Sequence, residues 1–358
     1  MNEFELQGQR FELQSRGANE EIMDNSSQNP HVKHSIVIVT PVYNDWLSCA
    51  RLVSELDAAF SEMDGTKIDI LIVDDGSSEE AQAQFVNADD CHNINRISVV
   101  QLASNMGHQR AIAVGLFAAV EAGHYESIVI MDSDGEDRPS DVIELVEQQQ
   151  RSPSAVIVAK RAKRSEGLIF RASYFLYKCM YGLLTGTEIS FGNFSILSSD
   201  AANRLLHMPE LWNNYPSALL RSRLLYNEIE TERGDRYAGT SKMSFSNLAI
   251  HGLNAISVNS EVVFVRVMFI CVAIGLIGIL GTLAVTGLRL FTDLAIPGWA
   301  SDVIGTIAVI LTQTLFFFFI SMFLLLHSRS NPALTPRTVI PGYIANRYDI
   351  LSHGKSRL

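Results

Sequence analysis

Two hydrophobic patterns divide the chain. From Ser35 onward, short β-branched runs at 35–39, 68–73, 97–102, 127–131 and 155–159 alternate with stretches at 45–63, 78–86, 107–122 and 139–150 whose apolar positions recur at helical spacing. Such alternation predicts βαβ units and an α/β domain with a mostly parallel sheet, whose ligands sit outside the carboxyl ends of the strands. Further on the pattern becomes continuous: residues 267–288 carry no charge over 22 positions and residues 303–326 none over 24. At ~1.5 Å rise per residue these runs reach about 33 to 36 Å, against a hydrocarbon core of roughly 30 Å, and predict two transmembrane helices.

The flanks of the two runs set an expected orientation. The connecting loop holds Arg289 beside Asp293 and Asp302, whereas the segment after His327 holds Arg329, Arg337, Arg347, Lys355 and Arg357. The positive-inside rule puts that segment in the cytoplasm, and an even number of spans puts the large N-terminal part there too. No apolar h-region follows the start, so no signal peptide is expected. Residues 1–34 are polar, with a near-duplication at Phe4-Glu5-Leu6-Gln7 and Phe11-Glu12-Leu13-Gln14, and read as a disordered tail. Residues 166–185 and 241–258 mix apolar and polar positions without a run long enough to span, as in helices lying at a membrane surface.

Composition narrows the partners. A net charge of −11 argues against nucleic acid, and the four scattered cysteines, Cys49, Cys91, Cys179 and Cys271, suggest a reducing compartment and no zinc site.

The candidate chemistry falls at strand ends. Pro41-Val42-Tyr43-Asn44-Asp45 follows the first strand, Asp74-Asp75-Gly76-Ser77 the second, Asn105-Met106-Gly107-His108 the third and Asp132-Ser133-Asp134 the fourth. Each is an ordinary turn by itself, but their joint placement on one edge marks a site. If the fourth strand stays extended, Asp132 and Asp134 point to one side and can converge on a hard cation, Mg²⁺ or Mn²⁺, whose other positions go to water and phosphates. A cation cluster is available for an anionic partner: Arg161, Lys163, Arg164, Arg171, Lys178, Arg236 and Lys242.

These motifs in this order, together with Gly192-Asn193-Phe194 and the run from Arg236 to Met243, resemble glycosyltransferase family 2. Within it they resemble the polyisoprenyl-phosphate branch of dolichol-phosphate mannose synthases and undecaprenyl-phosphate glucosyl and aminoarabinosyl transferases. The resemblance covers about 35–330 and implies a GT-A fold. It divides the chain into a tail at 1–34, a catalytic domain at 35–235, an acceptor loop and juxtamembrane helix at 236–262, a transmembrane region at 263–327 and a cytosolic tail at 328–358. It further implies an inverting, metal-dependent transfer of a hexose from a nucleotide sugar, with UDP-glucose or a related UDP-hexose expected, to a polyisoprenyl phosphate. The setting it implies is the cytosolic face of a bacterial inner membrane, with a homo-oligomer possible.

By the same resemblance, Pro41, Tyr43, Asp45, Asp74, Asp75, Asn105, Gly107, Asp132 and Ser133 contact the donor, and Asp132 and Asp134 hold the metal. Arg161, Arg171, Lys178, Arg236 and Lys242 meet the acceptor phosphate, and Asp132, Asp134, Arg236 and Lys242 form the catalytic set. Three departures from the family pattern stand out, of which Asp45, an acid shorter than the family's usual one, is conservative. Glu136 adds a charge where a Gln is common, free to tighten the metal or to face water. Asn193 stands where many members carry an Asp, and an amide cannot act as a base. A glycolipid acceptor without phosphate, a polysaccharide synthase and a non-catalytic nucleotide-sugar scaffold are the competing readings. The synthase would show a Q-x-x-R-W motif and more spans, and the intact D-x-D argues against the scaffold.

Overall fold

The computed structural model describes residues 35–61, 66–79, 90–161, 182–186, 190–237, 256–292, 298–330 and 334–352, with 63, 81, 85 and 254 singly. The N-terminal tail, most of the two surface-helix segments, Arg171, Lys178 and Lys242 lie outside the described residues.

Four parallel strands make the centre: β1 (Ile36–Val42), β2 (Ile68–Asp74), β3 (Ile94–Leu102) and β4 (Ser127–Ile130), in spatial order β4-β1-β2-β3. β1 and β2 are buried along their whole length, which is why they read as mainly apolar runs, broken at Thr40, Asp69 and Asp74, rather than as alternations. Ile36 and Ile38 pack on one face with Trp46, Leu52 and Leu56 of α1 (Trp46–Phe60) and with Val142 and Leu145 of α3 (Pro139–Arg151). Val37 and Val39 pack on the other with α2 (His108–Ala122). The fit there is close, since a Cβ on Gly115 of α2 would lie 2.2 Å from Val39 Cγ1.

The expected mostly parallel sheet is therefore present, and it is widened on both sides. β5 (Val156–Arg161), β6 (Ser195–Ser198) and β7 (Tyr226–Thr231) extend it in the order β7-β5-β6-β4, with β6 antiparallel to both its neighbours and β7 parallel to β5. α4 (Ser199–Leu206) and α5 (Tyr215–Ser222) cover the α2 face. At the far edge β8 (Ile344–Ser352) pairs antiparallel with β3, so part of the segment expected as a tail completes the sheet. Arg96 grips Asp349 of β8 with Nε and Nη2 at 3.1 and 2.8 Å, and Ser98 Oγ donates to the same carboxylate at 2.8 Å.

Between the domain and β8 come α6 (Ser260–Phe291) and α7 (Trp299–Ser330), two helices long and apolar enough to cross a membrane. Only 6% of each apolar window is buried, with Phe269, Ile277, Leu290, Phe316 and Phe323 among the exposed side chains. A soluble core helix would hide such residues. The helices meet where Gly278 gives room, since a Cβ there would lie 2.7 Å from Leu311 Cδ2. The start of α6 is tied down twice. Arg221 of α5 donates to Val258 O at 3.1 Å and stands 3.7 Å from Glu261, and Arg266 donates to the carbonyls of Gly182 and Leu183.

Candidate active site

The carboxyl ends of β1 to β4 are laced into one edge by their own polar residues. After β1, Asn44 adopts φ +48°, which asparagine tolerates, so that its N–H donates to Ser77 Oγ and its Oδ1 accepts from Ser78 N, both at 2.9 Å. After β2, Asp74 Oδ1 accepts from Ser77 N at 2.8 Å, and the Asp75 carboxylate accepts from the amides of Met106 and Gly107 at 2.7 and 2.9 Å. Asp75 thus holds the loop after β3. Burial pushes its pKa up, and the two amides work against that rise. Ser133 Oγ donates to Pro41 O at 3.1 Å and joins the fourth loop to the first. Tyr43 stands out from this edge, 51% exposed.

The D-x-D does not continue its strand. β4 ends at Ile130, and Asp132 to Gly135 form a turn in which Gly135 takes φ +87° with the Tyr237 ring against it. The alternation expected of an extended strand does not apply, and the turn brings the two carboxylates together instead. Asp132 Oδ1 lies 3.1 Å from His108 Nε2, and Asp134 Oδ2 lies 2.7 Å from Arg236 Nη2. Burial, and then the charge of Asp132, push the Asp134 pKa up against the amide of Glu136 and the Arg236 guanidinium. Burial works against a charged His108, yet the Asp132 carboxylate outweighs it, aided by Asp137 and Asp134, and the imidazole pKa is raised.

Residues 233–237 lie directly on this turn. Tyr237 N donates to Asp134 O at 2.9 Å and Gly234 N to Glu136 O at 3.0 Å. The Tyr237 hydroxyl donates to Glu55 at 2.6 Å, with the Arg51 guanidinium 4.5 Å from its ring centre. Glu136 bonds Arg233 and, at 3.1 Å, Arg236. Its expected choice between metal and water is resolved differently: it assembles two arginines beside Asp134. Burial alone would raise the Glu136 pKa, but the hydrogen bonds and charges of Arg233 and Arg236 hold it below the usual value.

Of the residues singled out in the sequence, Pro41, Tyr43, Asp45, Asp74, Asp75, Asn105, Gly107, Asp132, Ser133, Asp134 and Arg236 share this edge. Arg161 is the last residue of β5, whose direction matches β4, and so stands at the same carboxyl edge of the sheet. Sequence reasoning gave no role to His108 or Arg233. His108 was legible only as part of a motif, and Arg233 only by its place three residues before Arg236.

Among the described residues no group of three or more His, Cys, Asp or Glu is arranged to hold a metal ion. The donor set nevertheless fits a hard cation of the kind that takes one or two carboxylates and completes its shell with water and phosphate. The two carboxylates are part-buried, the charge of Asp132 raises the proton affinity of Asp134, and Arg236 supplies the positive charge that Asp134 attracts.

Residues 37–204 match the family model described as Glycosyl transferase family 2. An uncharacterized glycosyltransferase, YkcC of Bacillus subtilis (strain 168), is 25% identical over 282 residues, which is 76% of this chain and 83% of that protein. The undecaprenyl-phosphate 4-deoxy-4-formamido-L-arabinose transferase of Enterobacter sp. (strain 638) is 26% identical over 219 residues, 60% of this chain and 64% of its own. Among solved structures, glucosyl-3-phosphoglycerate synthase from Mycobacterium tuberculosis with Mn²⁺, UDP-glucose and phosphoglyceric acid aligns at 13% identity and a TM-score of 0.44, over 65% of this chain and 79% of that one.

Proposed function

We propose, from the match of residues 37–204 to the model described as Glycosyl transferase family 2, that this chain is a glycosyltransferase that moves a hexose from a UDP-hexose, UDP-glucose first, to a polyisoprenyl phosphate at the cytosolic face of a bacterial inner membrane. The observation that carries this reading is the contact of Arg236 with Asp134 at 2.7 Å. It joins the D-x-D turn to the loop that leads toward the membrane helices. A relative named for transfer to undecaprenyl phosphate supports the acceptor class.

Asp132 and Asp134 would hold a divalent ion, Mg²⁺ or Mn²⁺, which when bound offsets the negative charge developing on the departing diphosphate. The rest falls to the chain's own residues. Tyr43 and the loops tied by Asp74 and Asp75 receive the nucleoside. Arg236 and Arg233, gathered on Glu136, hold phosphate oxygens, with Arg161, Arg171, Lys178 and Lys242 as further cations toward the lipid.

A lipid phosphate monoester, with its second pKa near ~6, is largely dianionic at pH 7 and attacks the anomeric carbon without a general base. Its oxygen forms the new bond on the face opposite the leaving group, the old carbon–oxygen bond breaks toward UDP, and the anomeric configuration inverts. No proton needs to move, which is consistent with an amide at Asn193.

A panel of radiolabelled nucleotide sugars, incubated with the purified protein and undecaprenyl phosphate and followed by lipid extraction, tests the reading. Label from a UDP-hexose should enter the lipid phase. Label that stays in water for every donor would refute the reading. In the same assay Lys242→Ala should raise the apparent KM for the lipid several-fold, with calorimetric donor affinity unchanged.

A further inference from the structure

Tyr237 meets the D-x-D turn with both its backbone and its ring. Its N–H donates to Asp134 O at 2.9 Å and the N–H of Gly234 donates to Glu136 O at 3.0 Å, so two main-chain bonds flank Gly135. The ring fills the space that Gly135 leaves, since a Cβ there would lie 2.8 Å from Cε1, Cε2 and Cζ of Tyr237. Glycine is required twice at this position, for its φ of +87° and for the ring. The far end of the same ring is held by α1. The hydroxyl donates to Glu55 Oε2 at 2.6 Å, Arg51 Nε donates to Glu55 Oε1 at 2.9 Å, and the Arg51 guanidinium stands 4.5 Å from the ring centre. Each oxygen of Glu55 has its own donor, so these bonds form together. Burial, and then the Glu55 bond, raise the pKa of the hydroxyl, which keeps its proton and donates.

Three parts of the site meet at this one side chain: the D-x-D turn, the helix that follows the Pro41–Asp45 loop, and the segment that carries Arg236. Arg236 directly precedes Tyr237 and lies 2.7 Å from Asp134 Oδ2 through its Nη2, so where the ring sits decides where that guanidinium sits. We propose that Tyr237 is a positioning residue, a pin between α1 and the D-x-D turn that sets Arg236 on Asp134. The pin rests on these contacts alone; its consequence for turnover rests on the glycosyl-transfer reading. Three substitutions isolate the hydroxyl from the ring. Tyr237→Phe leaves the ring on Gly135 and releases it from Glu55. Glu55→Leu cuts the same bond from the helix side, whereas Glu55→Gln keeps an amide oxygen that still accepts from the hydroxyl.

The test uses the full chain in lipid nanodiscs and follows hydrogen exchange by mass spectrometry in peptides covering Asp132 to Arg138, alongside steady-state kinetics with UDP-glucose and undecaprenyl phosphate. Tyr237→Phe and Glu55→Leu should each speed exchange about fivefold, the effect of one lost hydrogen bond, and lower kcat about fivefold with donor KM within about twofold. Glu55→Gln should match the parent in both readouts. The double variant Tyr237→Phe/Glu55→Leu should be no slower than either single one, because both cut the same bond. Unchanged exchange in Tyr237→Phe would remove the pin, and faster exchange with unchanged kcat would leave Tyr237 a packing residue; either result overturns the proposal. Glu55→Gln falling as far as Glu55→Leu would assign the effect to charge and overturn it too. If the parent transfers no hexose, the glycosyl-transfer reading fails, and exchange alone decides whether Tyr237 pins the turn.

Discussion

In the proposed reaction three side chains carry most of the chemistry: Asp132 and Asp134 for the ion, and Arg236 for phosphate. Asp132→Ala or Asp134→Ala should cut turnover at least a hundredfold while circular dichroism stays that of the parent; full activity of Asp134→Ala in excess EDTA would contradict the metal role. Glu136 has a different task, to hold Arg233 and Arg236, and pH exposes it. Its folded pKa lies below the ordinary value of 4.5, so the stability it contributes is complete above that value and is lost as pH falls through the lower folded one. Melting temperature should therefore drop on acidification below about pH 5 more steeply in the parent than in Glu136→Gln. Equal slopes would mean that the arginines do not depend on this carboxylate. The D-x-D and Arg236 were legible from residue type and spacing. Glu136 and His108 were not, because their contacts lie with partners 97 and 24 positions away.

At the scale of elements, β1 to β4 and their helices follow from β-branched runs set between amphipathic stretches. β6, β7 and β8 escaped that reading. β6 has four residues, β7 is exposed at four of its six, and β8 is an edge strand in which only Leu351 is buried. What fixes β8 is polar: Asp349 on Arg96, a side chain only 6% exposed. Asp349→Ala leaves that guanidinium without its carboxylate and should cost about 2 kcal/mol of stability, seen in denaturant unfolding as a lowered midpoint with donor KM unaltered. A midpoint equal to the parent's would show that β8 is held by its backbone pairing alone. The D-x-D turn carries the same lesson, since the sequence pattern points to a strand but the positive φ at Gly135 makes a turn.

For the whole molecule, the return of β8 to the sheet that holds β1 would put both ends of the α6–α7 pair on one side of a membrane that the two helices cross. The charge of the flanks predicts that this side is the cytoplasm. A cysteine at Thr292 in a variant lacking the native thiols should react with a membrane-impermeant maleimide added to intact cells, and one at Ser352 only after lysis; the opposite pattern would invert the orientation. In the proposed reaction this arrangement would let donor enter from water while the acceptor's tail stays in lipid, with the phosphate as the nucleophile. The most direct measurement is mass spectrometry of the extracted product after parallel incubations of the protein and UDP-glucose with undecaprenyl phosphate and with undecaprenol. The account predicts one hexose added to the phosphorylated lipid, with phosphate retained, and nothing added to the alcohol. Hexose on undecaprenol, or hexose released to water at the same rate without lipid, would contradict it.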